Sequence, residues 1–92
     1  AGIALTTALG KTSFAQGQEL KLGVLGPITG PNAAFGKQLT DGATQAVADL
    51  NAKGGILGRR ITIVTGDDAS VPAQGVSVAN KLTSEGIRHV VG

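Results

Sequence analysis

Two short β-rich runs separated by a long amphipathic stretch constrain this chain most. "ELKLGVLG", residues 19–26, alternates at first and then turns apolar. "RITIVT", residues 60–65, carries the β-branched run Ile61, Thr62, Ile63, Val64, Thr65. Both suit strands, the first a buried one. Between them, Leu39, Ala43, Ala46, Val47 and Leu50 fall at i, i+4, i+7, i+8 and i+11, which is one face of a helix. Lys37, Asp41, Gln45 and Asp49 take another face. The spacing predicts a helix from residue 34 to residue 53, about 30 Å long at 1.5 Å per residue. Gly54 and Gly55 mark its end.

The pattern then repeats. "VPAQGVSVANKLTSEG" reads as a second helix, with Pro72 placed for its first turn and Val71, Gly75, Val78, Ala79 and Leu82 on one face. Val71 is a poor N-cap, so Ser70 or Asp68 is the expected source of a capping oxygen. "IRHVVG", residues 87–92, reads as a third strand. Strand–helix–strand–helix–strand is the grammar of a parallel α/β sheet. Right-handed crossovers are nearly obligatory. The expected strand order is 2-1-3, which places one helix on each face. The fold class is therefore α/β: a three-stranded βαβαβ sheet with helices on both sides.

That order creates a topological switch point between the first and third strands. Open α/β sheets bind ligands there, at the carboxyl ends of the strands. "GPITGPNAAFG", residues 26–36, leaves the carboxyl end of the first strand and should border this crevice. Phe35, one of two aromatic residues in the chain, stands at its far end. It is either a staple for the helix start or an apolar wall over a ligand. The loop does not fit a nucleotide site well. "GVLGPITG" is not Gly-x-Gly-x-x-Gly and lacks the Gly-Lys-Ser/Thr of a P-loop. Asp67 and Asp68 are expected to serve a turn before the second helix rather than acid–base work or metal binding. Arg59 and Arg60 read as a solvated turn, and His89 as a strand residue rather than a ligand. No catalytic arrangement and no metal site can be composed, and no cofactor is expected.

Composition narrows the partners. The net charge is +2 with the charges spread out, so no basic stripe invites nucleic acid. No cysteine is present, which removes disulfides and thiolate metal sites. Residues 1–10 are small and apolar, but too few for the roughly 20 residues that span a bilayer. "TSFAQ" follows, with Ser13 and Ala15 at the −3 and −1 positions of a small-x-small cleavage pattern. Residues 1–15 are expected to be the back part of a secretory signal peptide, in preference to an amphipathic helix. The mature chain would then begin at Gln16, be exported, and not insert into a membrane.

From residue 20 to residue 92 the chain resembles the periplasmic branched-chain amino-acid-binding proteins, the receptors of ABC importers. The resemblance rests on "GPITGPNAAFG", "GATQAVADLNAKGGILGR", "DDASVPAQGVSVANKL" and "GIRHVVG". It implies a two-lobed type I periplasmic binding fold, of which residues 16–92 would be the truncated start of the first lobe. It implies a periplasmic location, a branched-chain or related amino acid as solute, and a membrane permease of the ABC class as partner. Such receptors are not enzymes. Relatives often carry an aromatic residue, commonly Tyr, at the position of Phe35, packed over the ligand side chain. Phe lacks that hydroxyl. The loop that holds the solute's charged groups follows the third strand, past Gly92, so Phe35 is the one ligand-binding residue expected here. Some relatives carry a bridged Cys where Ser70 stands, and that bridge is absent. The alternative is a Rossmann-type nucleotide-binding domain of an enzyme.

Overall fold

The computed structural model describes residues 19–92, so the expected signal peptide lies outside the described residues. The chain forms β1 (Leu20–Gly26), α1 (Ala33–Ala52), β2 (Ile61–Asp67), α2 (Pro72–Ser84) and β3 (His89–Val91). The sheet is parallel with order β2-β1-β3, the order expected from the sequence. Leu20 pairs with Ile61 and Gly26 with Asp67; Leu22 pairs with His89 and Val24 with Val91.

β1 is central, and its side chains alternate between the two helices. A Cβ on Gly26 would meet Leu39 of α1, whereas one on Gly23 would meet Leu82 of α2. The core is therefore two thin layers. Val24, Val47, Ile61, Leu82 and Ile87 are its buried apolar members, and Val24 is fully enclosed. Gly66 is needed for close approach: a Cβ there would lie 2.4 Å from Val78 Cγ1. The bare backbone lets α2 settle against β2.

Both helices end the same way. Gly54 N–H bonds the Asn51 carbonyl and Gly55 N–H that of Leu50; Gly86 N–H bonds Thr83 and Ile87 N–H bonds Leu82. Gly54 (φ +97°) and Gly86 (φ +83°) supply the left-handed residue this paired closure requires. Ile87 was expected in the third strand. Its N–H is committed to the helix end and its side chain is buried, so β3 starts two residues later. β2 runs to Asp67 rather than stopping at Thr65, because Gly66 and Asp67 pair with Leu25 and Gly26. At the start of α2, neither Ser70 nor Asp68 caps: the N-cap is Val71 and no side-chain cap bond forms. The Asp68 carboxylate instead accepts from Ser70 N–H at 2.8 Å.

α1 buries less of its predicted stripe than the period alone suggests. Val47 is buried, but Leu50 is 40% exposed and Ala46 is exposed. On that side the sheet continues only through the three residues of β3, so an apolar groove of about 560 Å³ remains along α1, floored by Leu20, Leu22 and Val91.

The segment from α1 to β2 turns on a two-residue hairpin. Ile56 and Arg59 exchange backbone bonds, with Leu57 (φ +52°) and Gly58 (φ +75°) between them, as a type I′ turn demands. Asn51 then ties the helix to the sheet edge. Its Nδ2 donates to the Ile61 carbonyl at 2.9 Å and its Oδ1 accepts from Ile61 N–H at 2.8 Å. The amide thus pairs with Ile61 as a neighbouring strand would. Asn51→Ala leaves both backbone groups of a buried residue unpaired, and is expected to destabilise the fold by about 2 kcal/mol. A lowered urea midpoint with an unchanged slope would register it.

Candidate functional site

The carboxyl ends of β1 and β2 lie level, because Gly26 pairs with Asp67. The two loops that leave them are bound to each other. Asp67 Oδ1 accepts from Ile28 N–H at 2.9 Å, from Thr29 N–H at 3.1 Å and from Ala69 N–H at 2.9 Å. Asp67 Oδ2 accepts from the Thr29 hydroxyl at 2.6 Å. Further out, Asn32 Nδ2 donates to Ser70 Oγ at 2.8 Å. Below, the Gly26 carbonyl accepts from Ile28 N–H and Asp68 N–H, each at 3.0 Å.

Backbone geometry fits this joint. Gly30 has φ +92°, and a Cβ there would sit 3.2 Å from the Ala69 carbonyl oxygen. Ala69 (φ +48°) and Ser70 (φ +62°) hold left-handed conformations that disfavour residues with a Cβ. The Asp67–Ala69 and Asp68–Ser70 bonds offset that strain locally. Such strain concentrates where surrounding structure over-determines the backbone, often at ligand clamps. Behind the loop, Gly36 is buried against Pro27: a Cβ at that position would lie 2.0 Å from the Pro27 carbonyl oxygen. The first turn of α1 therefore rests directly on the loop backbone.

The hydroxyl of Thr29, and then the N–H groups of Thr29, Ala69 and Ile28, hold the Asp67 carboxyl below the usual aspartate range against its partial desolvation. The ionised form is the one the loop is built around.

Phe35 stands on the first turn of α1 and is 67% exposed. A staple would bury the ring, and this one is open to solvent at the carboxyl end of the sheet. Asp67 and Asp68 serve turns, as the sequence led us to expect, but Asp67 also reaches across to the first loop. That reach was legible only from the register of β1 on β2. Thr29, Asn32 and Ser70 belong to the same joint; the sequence pointed to Ser70 as a capping oxygen for α2, and to Thr29 and Asn32 not at all. His89 lies in β3 opposite Leu22. Arg59 closes the hairpin through its backbone and aims Nη2 at the Glu19 carbonyl, 3.4 Å away, at the opposite end of the sheet from these loops. Among the described residues, no group of three or more His, Cys, Asp or Glu could hold a metal ion.

What the arrangement can do follows from where its donors point. In a dinucleotide site the first loop turns its N–H groups to phosphate. Here two of them face the protein's own carboxylate. The groove along α1 lies away from these loops and is lined mostly by apolar side chains, with Lys21, Arg59 and His89 among them. The fold and these loops define an open parallel α/β sheet whose β1 and β2 exits are tied to each other at the strand carboxyl ends.

Comparison with known proteins agrees. The sequence model of the periplasmic binding protein family matches residues 19–92, and the chain belongs to that family. It is 52% identical over 85 residues to the Leu/Ile/Val-binding protein homolog 2 of Brucella abortus (strain 2308), covering 92% of this chain and 22% of that protein. To the Leu/Ile/Val-binding protein of Escherichia coli (strain K12) it is 48% identical over 85 residues, covering 92% of this chain and 23% of that protein. A solved structure is also similar: the branched-chain amino acid transporter substrate binding protein LivJ from Streptococcus pneumoniae, in complex with isoleucine. It matches at a TM-score of 0.74 and 37% identity, over 80% of this chain and 22% of that one. The chain thus spans about a fifth of the length of the curated relatives it matches. No helix among the described residues is long and apolar enough to cross a membrane.

Proposed function

We propose that this chain contributes one wall of the solute cleft in an extracytoplasmic receptor that binds branched-chain or related amino acids for ABC-type import. The observation that carries the reading is the rim itself. Its loop donors at Ile28 and Thr29 are satisfied internally, while the Phe35 ring stands exposed on the first turn of the helix that the loop leads into. Such a rim offers apolar surface and shape, which suits an aliphatic side chain. The names of the relatives and the isoleucine in the similar structure support the same solute class. Phe35 is the residue of this chain that would pack on the solute. In that role the receptor is exported, with residues 1–15 as leader, and the solute-loaded form engages a membrane permease through a shift between open and closed states.

Calorimetry on the intact protein tests this. Leucine, isoleucine or valine should bind saturably, and a nicotinamide nucleotide should not. Phe35→Ala removes apolar surface from the cleft wall and is expected to weaken leucine binding by about tenfold, the equivalent of 1.4 kcal/mol or roughly half the burial of a large side chain. Absence of affinity for all three amino acids would reject the solute class. Unchanged affinity in the variant would remove Phe35 from the site.

A further inference from the structure

Two successive N–H groups that converge beside a helix start take up an anion when one is available. At Ile28 and Thr29 the anion is already part of the chain. The Asp67 carboxylate accepts both N–H groups and the Thr29 hydroxyl, and through Ala69 N–H it binds its own loop to the same point. It can reach because Asp67 is level with Gly26 in the sheet. From the β1 exit, the groups facing the carboxylate are Ile28 and Thr29, both uncharged. From its own loop the partner is Ala69, and from α2 Gln74 binds the Asp67 carbonyl instead, at 2.8 Å. The titratable neighbour is Asp68, whose Oδ1 is turned to Ser70 N–H. Beyond the carboxylate, the Asn32–Ser70 bond and the contact of Gly36 with Pro27 carry the loop's position into the first turn of α1, where Phe35 stands.

We propose that Asp67 is the positioning residue of the solute rim: its carboxylate is the loop's resident anion, which fixes residues 27–30 and closes the Ile28 and Thr29 N–H groups to phosphate and to the solute's own carboxylate. The inference rests on the solute-binding reading for its link to affinity, but its structural half is read without any ligand. It makes the rim a shape-selecting wall, so the solute's charged groups must be held by other parts of the cleft. It also links the rim to pH. A carboxyl held below its ordinary range contributes its stabilisation above that range and loses it as pH falls through the lowered value.

The test uses the intact protein, labelled for amide spectroscopy, as wild type and as Asp67→Asn, Thr29→Val and Thr29→Ser. Asn keeps an acceptor oxygen and removes the charge. In the wild type, the amide signals of Ile28, Thr29 and Ala69 should move together in one acid titration lying below the usual aspartate range. Thr29→Val should move that titration upward, Thr29→Ser should restore it, and Asp67→Asn should abolish it. Inorganic phosphate should leave the wild-type Ile28 and Thr29 signals in place. Leucine affinity should be flat above the lowered Asp67 titration, fall as pH drops through it, and level off near the affinity of Asp67→Asn. In Asp67→Asn it should be weaker at neutral pH and flat throughout. Ile28 and Thr29 amides that ignore the Asp67 titration, or that shift with phosphate in the wild type, would overturn the proposal. So would leucine binding in Asp67→Asn that matches the wild type at every pH. If no branched-chain amino acid binds but the amides titrate as described, the solute reading fails and the internal anion stands.

Discussion

Gly36→Ala is expected to cost about 3 kcal/mol, at the upper end of what overpacking does, and to weaken solute binding as well. The added methyl would sit 2.0 Å from the Pro27 carbonyl oxygen and 2.5 Å from its carbon. Both are backbone atoms, so no rotamer change relieves the clash. Either α1 lifts from the loop or the loop moves, and each shifts the first turn of the helix that carries Phe35. Elsewhere in a helix, replacing Gly by Ala gains roughly 0.5–1 kcal/mol of helix propensity. Gly42 offers the control, since a Cβ there meets nothing within 4 Å. Urea unfolding of the intact protein should move in opposite directions for Gly36→Ala and Gly42→Ala. A neutral Gly36→Ala would mean that the loop yields freely, contrary to the joint described above.

Leu82→Ala is expected to destabilise by about 3 kcal/mol, within the range of large-to-small core substitutions. Leu82 is 3% exposed. Its Cδ1 would touch a methyl placed on either Gly23 or Gly66, so it lies over both β1 and β2. It is also two residues before the end of α2, where its carbonyl accepts Ile87 N–H and its side chain and that of Ile87 are both buried. Truncation therefore opens a cavity beneath two glycines that have no side chain to fill it. Thermal or urea unfolding would show the loss, and Leu82→Met should recover most of it because volume is nearly kept. An effect below about 1 kcal/mol would show that α2 can collapse onto the sheet.

These two sites illustrate how unevenly a small α/β unit distributes its stability. Five buried apolar residues form the core, and the α1 face is only partly covered. Single contacts at glycine positions then matter more than they would beneath a thick core. The rim depends on the same economy: Asp67, Gly30, Gly36 and the Asn32–Ser70 bond fix the loop without an apolar cluster of its own.

Much of this was legible in the sequence, because the signals were periodic or local. The stripe from Leu39 to Leu50 marks α1 to within a residue at each end. The β-branched run at residues 61–65 marks β2, and Gly54 and Gly86 mark the helix ends. Right-handed crossovers, a rule about chirality that needs no side-chain detail, set one helix on each face once the order is 2-1-3. The motifs of residues 26–36, 42–59, 67–82 and 86–92 carried the resemblance to the family. What the sequence could not reveal were matters of register and of competing partners. Asp67 reads as a turn residue until the pairing of Gly26 with Asp67 sets its carboxylate beside Ile28 and Thr29. Ile87 reads as a strand residue until its N–H is drawn to Leu82. Asn32 is the N-cap residue of α1, but its amide is spent on Ser70, 38 positions away, and caps nothing. Periodicity and chirality act along the chain and are written in it. The choice between two hydrogen-bond partners depends on which segments lie side by side, and only the folded sheet decides that.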